Sequence, residues 1–180
     1  RSLPEGIGPK VLAFGSIGGA KVLLLEALHG TVLQAKPGCP ETVVELTNRL
    51  MRPELYSFTA HPWVRWLSKM LGVALDGMEA LASRQWPIAF FHGDLAPWNI
   101  MQLPGRKLGI LDWEYGTEYG FPYIDLIYYQ LQVAALVRRK SPSEAFDEVF
   151  RWLRQKMPHL LPGEARALIR LTGWYGVQQR

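Results

Sequence analysis

The chain has 180 residues, of which 48% are hydrophobic and 20% charged, and carries a net charge of +4. That is enough apolar material for one domain with a sizeable core, which excludes a disordered or fibrous chain. No apolar run reaches the length of a membrane span, and the single cysteine, Cys39, excludes a disulfide framework and a zinc cluster.

The chain starts at Arg1 without an initiator Met, which points to a fragment or a processed chain. No apolar stretch follows a basic head, so the start does not read as a secretory signal. With one cysteine the reducing cytosol is the expected compartment, hence a cytoplasmic protein. The positive charge raises the question of nucleic acid. Basic residues are scattered, however. The only run, Arg138-Arg139-Lys140, falls at an expected helix end, where cations complement the dipole. No nucleic-acid partner is expected.

In chain order, Lys10 to Ser16 and Lys21 to Leu28 read as strands, joined through Gly18-Gly19, a hairpin signal. A phosphate loop over Gly15, Gly18, Gly19 and Lys21 fails on detail. Ala20 precedes the Lys, Val22 follows it, and the next run is strand-like. Both lysines open a strand and are expected at the surface. Lys36 to Pro40 is a loop, and its Cys39 reads as incidental. Glu41 to Arg52 has helical periodicity, with Pro53 as the stop. Leu55 to His61 reads as irregular. Pro62 to Ser83 is the clearest helix, because Trp63, Trp66, Leu67, Met70, Leu71, Ala74, Leu75, Met78 and Leu81 recur at helical spacing. Its tryptophans read as packing.

Pro87 to Phe91 is a short buried strand that enters a polar loop. Asn99 to Leu103 is a strand, Pro104-Gly105-Arg106 a turn, and Lys107 to Leu111 the returning strand. Gly116 to Pro122 reads as a loop and Tyr123 to Val137 as a largely buried helix. Ser141-Pro142-Ser143-Glu144 is a helix start. Phe146, Val149, Phe150, Leu153 and Met157 supply its apolar stripe, and Gly163 to Gln179 is a last helix.

Between these elements lies the chemistry. His92, Asp94 and Asn99 form an HxDxxxxN pattern, and an apolar run then ends at Asp112. Phosphoryl transfer needs a carboxylate to take the proton of an attacking hydroxyl. It also needs oxygen ligands to hold Mg²⁺ against the phosphates. Asp94 and Asn99 share one short loop, which Pro97 stiffens, and Asp112 ends the strand that returns beside it. Asp94 is therefore the candidate base, and Asn99 and Asp112 the candidate metal ligands.

HGDLAPWNI followed by LDWEYG resembles the aminoglycoside phosphotransferase and choline kinase family, small-molecule kinases with a protein-kinase-like fold. Gly93 and Trp113-Glu114 stand where protein kinases usually carry Arg and Phe-Gly, which favours the small-molecule branch. The resemblance implies an α+β, protein-kinase-like fold with a mostly helical large lobe over 29–180. Residues 1–28 would be a hairpin remnant of the small lobe with its hinge. It implies ATP and Mg²⁺ as cofactors and a small-molecule hydroxyl as acceptor. The Glu26 carbonyl and Leu28 amide would grip adenine, although an ordinary strand end reads equally well there. His92 would brace the loop rather than act as a base. Asp125 would accept hydrogen bonds from the loop backbone, the other reading being an acid that neutralises a helix dipole. The C-terminal helices would form the acceptor side of the cleft.

The resemblance covers nearly the whole chain but not the family's Gly-rich loop and strand Lys. A non-catalytic nucleotide-binding or truncated fragment is therefore the rival from another class. DxEY over Asp112 to Tyr115 is similar to the choline and ethanolamine kinase branch, whose following Asn is absent here. A cage for choline could draw on Tyr115, Tyr119, Trp152, Trp174 and Tyr175, which core packing explains more cheaply. The basic last segment argues against polycationic aminoglycosides, and a neutral or anionic acceptor is expected.

Overall fold

The computed structural model describes residues 6–36, 38–72 and 75–178. Strands β1 (Val11–Ile17) and β2 (Ala20–Leu25) form an antiparallel hairpin closed by Gly18-Gly19. Although the strands are rich in Leu, Val and Phe, every residue of both is exposed. Lys10 and Lys21 are at the surface, as their position at the strand starts predicts.

Two three-stranded antiparallel sheets follow. One joins β3 (Thr31–Val32), β6 (Ile100–Gln102) and β7 (Leu108–Ile110), with β6 central and Ile100 opposite Ile110. The other joins β4 (Met51–Ser57), β5 (Gln85–Phe91) and β8 (Thr117–Gly120), with β5 central. β5 and β6 flank the polar loop, so each sheet holds one end of it.

Five α-helices lie among the described residues: α1 (Glu41–Arg49), α2 (Pro62–Leu71), α3 (Ile124–Gln132), α4 (Pro142–Lys156) and α5 (Pro162–Gln178). α3 is apolar on nearly every side and is buried on every side, with Ile124, Leu126, Ile127 and Tyr129 fully enclosed. It packs against α1, α4 and α5. A π turn over Val133–Val137 extends it, closed by Arg138 N–H donating to the Val133 carbonyl at 3.0 Å. The basic run beyond is tied down locally: Arg138 pairs with Glu148, and Lys140 with Glu144 at 3.1 Å. α4 starts at a reciprocal cap, in which Glu144 N–H donates to Ser141 Oγ and Ser141 N–H to Glu144 Oε2. Buried Glu164 ties the start of α5 to Arg84 at 3.0 Å and to the Leu161 amide at 2.7 Å.

Three sequence expectations need correction. The helix expected over Glu41 to Arg52 ends at Arg49, and the stretch from Met51 to Ser57 is a strand. Pro53 forces Arg52 out of the helical region, and its missing N–H is tolerated because β4 is an edge strand with a register break there. The long helix over Pro62 to Ser83 is α2 alone, followed by a separate 3₁₀ turn over Glu79–Ser83. Gly72 ends α2 in the left-handed region (φ 66°), donating its N–H to Ser68. Ala74 lies outside the described residues. The loop expected over Gly116 to Pro122 contains β8, which exists because β5 offers it a partner edge.

Cys39 is buried ahead of α1, and burial together with nearby Glu41 raises its thiol pKa, so the thiol is inert. No helix among the described residues is long and apolar enough to cross a membrane. The whole is a mixed α/β fold of small sheets and five helices, compatible with the kinase-like class.

Candidate active site

The loop from His92 to Asn99 is held from three sides. Beneath it, buried Asp125 in the first turn of α3 receives two backbone donors. His92 N–H reaches Oδ2 at 2.7 Å and Gly93 N–H reaches Oδ1 at 3.0 Å. Burial pushes the Asp125 carboxyl up to about 6, against the pull of those amides and of the His92 ring. Within the loop, Asp94 N–H donates to His92 Nδ1 at 3.2 Å, which makes that nitrogen the acceptor. Nε2 must then carry the proton, and it donates to the Leu111 carbonyl at 2.7 Å. Both ring nitrogens are engaged, and Trp113 packs edge-on against the ring at 4.7 Å. From the third side, Leu111 N–H donates to the Asn99 carbonyl at 2.9 Å, fastening the returning chain to the loop.

Gly93 has φ +89°, and a Cβ there would lie 2.6 Å from Tyr115 Cβ and 2.8 Å from the Tyr175 hydroxyl. Only glycine fits, on both conformational and steric grounds. The turn after Asp112 and the end of α5 thus close directly over the residue before Asp94.

Asn99 Nδ2 donates to both the Asp94 carbonyl (2.9 Å) and Asp94 Oδ2 (3.1 Å), so one amide sets the height and rotation of the carboxylate. This leaves Asn99 Oδ1 unengaged among the described residues. Asp112 follows Leu111 in the left-handed region (φ 60°) and is exposed. No cation or donor among the described residues pairs with its carboxylate. A carbonyl oxygen and an unpaired carboxylate are hard oxygen ligands suited to Mg²⁺. No group of three or more His, Cys, Asp or Glu forms a metal cluster among the described residues.

A family model described as the phosphotransferase enzyme family matches residues 12–168. The chain belongs to that family. No curated protein and no solved structure matches it. The match spans both strands of the exposed hairpin, the polar loop and most of the helices, and it stops within α5.

In this phosphotransferase-family chain, His92, Asp94, Asn99 and Asp125 form one hydrogen-bonded unit, and Asp112 adjoins it through Leu111. Glu26 and Leu28 lie apart from that unit. Glu26 N–H closes the hairpin on the Lys10 carbonyl at 2.8 Å, and Leu28 packs against Gly109 of β7. The Glu26 carbonyl and Leu28 amide have no hydrogen-bond partner among the described residues. Glu26 is exposed and Leu28 half-buried.

Two cavities meet at the turn after Asp112. One, of about 460 Å³, is lined by Asp94, Gln132 and Leu136 and by Thr172, Gly173 and Val177 of α5. The other, of about 490 Å³, is aromatic and holds Trp63, Trp66, Tyr115, Tyr119 and Tyr175. Of the five rings weighed from the sequence for a cage, Tyr115, Tyr119 and Tyr175 come together there, and Trp152 and Trp174 do not. Trp63 and Trp66, read as packing, join them. Their spacing on one helix face was visible in the sequence. Nothing local links them to Tyr175, more than a hundred residues away, so the cavity had no sequence signal.

Proposed function

We propose that this member of the phosphotransferase family transfers the γ-phosphate of ATP to a hydroxyl of a small molecule, with Asp94 as the base. Asp94 accepts the hydroxyl proton as the oxygen attacks phosphorus. The bond from phosphorus to the bridging β-phosphate oxygen breaks, and ADP leaves with that electron pair. Asn99 and Asp112 would hold Mg²⁺, which when bound neutralises charge on the phosphates. His92 braces the loop and takes no proton, because both its nitrogens are already engaged. Asp125 holds the backbone of His92 and Gly93 and acts only through it.

The observation that carries this reading is the double donation from Asn99 to Asp94 beside an unpaired Asp112. One carboxylate is oriented and another left open, which is the division of labour that positioning-driven transfer requires. The free Glu26 carbonyl and Leu28 amide support adenine binding between the hairpin and β7. On this reading residues 1–28 are small-lobe and hinge material and 29–180 the catalytic lobe, in a cytoplasmic enzyme. The cavity beside Asp94 would admit the acceptor.

The test is a thermal melt with and without MgATP, using Asp112→Ala as the control. Ligand at a hundred times its dissociation constant should add about 2.7 kcal/mol to the wild type and nothing to the variant. Equal shifts in both proteins would remove Asp112 from the metal site. No shift in either would mean that the chain alone has no working nucleotide site and would favour the truncated-fragment rival.

A further inference from the structure

Trp63 and Trp66 of α2, Met70 one turn on, Tyr115 and Tyr175 enclose the aromatic cavity, and its volume of about 490 Å³ lies in the range of small-molecule pockets. The Trp63 and Trp66 rings stand 5.6 and 6.3 Å from that of Tyr175, so a flat ring entering here meets aromatic surface on several sides. Two polar features break the apolar wall. Among the described residues Glu114 is its one carboxylate, and no Lys, Arg or His lines it. Trp63 is 2% exposed, yet its indole N–H has no hydrogen-bond partner among the described residues. Buried donors are normally paired, so an unpaired one on a residue that lines a cavity points to an acceptor atom brought by a ligand, which a small turn of the indole would let it reach. Glu114 and Tyr115 also line the cavity that holds Asp94, so the two spaces share a wall.

We propose that the aromatic cavity binds an uncharged, flat aromatic ring carrying both a hydrogen-bond acceptor, for the Trp63 N–H, and a donor, for Glu114. Such a ring is the non-reacting body of the molecule whose hydroxyl is phosphorylated at Asp94. This use rests on the proposed transfer, whereas the binding itself does not. Anionic rings are turned away by Glu114, which removes the anionic half of the neutral or anionic class expected from the sequence.

Fluorine NMR line broadening of 4-fluorobenzamide, with the full chain, reads the binding directly. The amide offers an acceptor and a donor on one ring. Trp66→Leu should weaken it by about tenfold through lost ring contact. Trp66 is 45% exposed, so the fold tolerates the change. Trp63→Phe should weaken the amide by about tenfold while leaving 4-fluorotoluene, which cannot accept the N–H, unaffected. The benzoate should bind less tightly than the amide and recover in Glu114→Gln. Asp94→Asn should bind the amide as the wild type does. Three results would overturn the inference: no broadening in the wild type, cyclohexanecarboxamide competing as well as benzamide, or phenyltrimethylammonium displacing the amide more readily than benzamide does. The last would make the cavity a cation site. Broadening without a MgATP melting shift would sink the phosphotransfer reading and leave the binding site standing.

Discussion

Replacing Asp125 by alanine tests the anchor of the loop through its pH dependence. The Asp125 carboxyl is 7% exposed and moves from the usual 3.8 to about 6, chiefly because it is buried. Between those values the folded protein keeps a proton that the unfolded chain has released. The contribution of this group is therefore complete below about pH 4 and is lost as pH rises through about 6. Each pH unit in that window is worth up to about 1.4 kcal/mol, or about 3 kcal/mol across all of it. The alanine variant also removes the two hydrogen bonds that the Asp125 carboxyl accepts from the His92 and Gly93 amides, a loss that does not follow that titration. The loss should then be about 3 kcal/mol larger near pH 4 than near pH 7. His61 works in the opposite sense. Burial lowers its imidazole from 6.5 to about 4, so its contribution is complete above 6.5 and is lost as pH falls through about 4. In the wild type the two slopes offset each other. In the variant the His61 slope stands alone, and stability should climb by up to about 1.4 kcal/mol per unit between about pH 4.5 and 6. Urea unfolding at four pH values reads both curves. Parallel curves, or a loss that is greatest at neutral pH, would refute the argument.

Asp94→Asn should keep the MgATP melting shift and lower turnover by about 10²–10⁴-fold, and near wild-type turnover would remove Asp94 from the chemistry. Asp112→Gly should be more stable than Asp112→Ala by about 1 kcal/mol, because the position has φ 60°. Both variants should lose the MgATP shift, and a shift retained in either counts against the metal role. Gly93→Ala meets Tyr115 at 2.6 Å in a left-handed conformation. It should cost about 2–4 kcal/mol in a chemical melt, and a cost within error would mean that the turn can simply move away. Ser141→Ala breaks the reciprocal cap of α4 and should cost about 1 kcal/mol in the same assay.

The loop and its hairpin were legible in the sequence because their determinants are local. Pro97, Pro104 and Gly105 mark the turns, and the spacing of His92, Asp94 and Asn99 is itself the geometry. β4 and β8 were not legible. Neither Met51–Ser57 nor Thr117–Gly120 alternates cleanly, and both are strands because β5 presents two edges to be filled. The apolar periodicity after Leu71 runs on past the true helix end and masks the stop signal that Gly72 itself supplies. In the site, the residues of the loop could be named from spacing. The hydrogen-bond routes that join them, through Leu111 and the His92 tautomer, depend on backbone atoms that carry no side-chain signature.

The β1–β2 ribbon bears on how the chain's stability is measured. No other element packs substantially on either of its faces among the described residues, and a two-stranded ribbon alone is marginal in water. Its amides should therefore exchange with deuterium through local opening, at protection far below that of Leu126 and Tyr129 in α3, whose exchange waits on global unfolding. A calorimetric or fluorescence melt follows the tryptophan-rich core and is blind to the ribbon. Two proteins with identical melting curves can thus differ entirely in whether the first strands are formed, and only residue-resolved exchange would tell them apart.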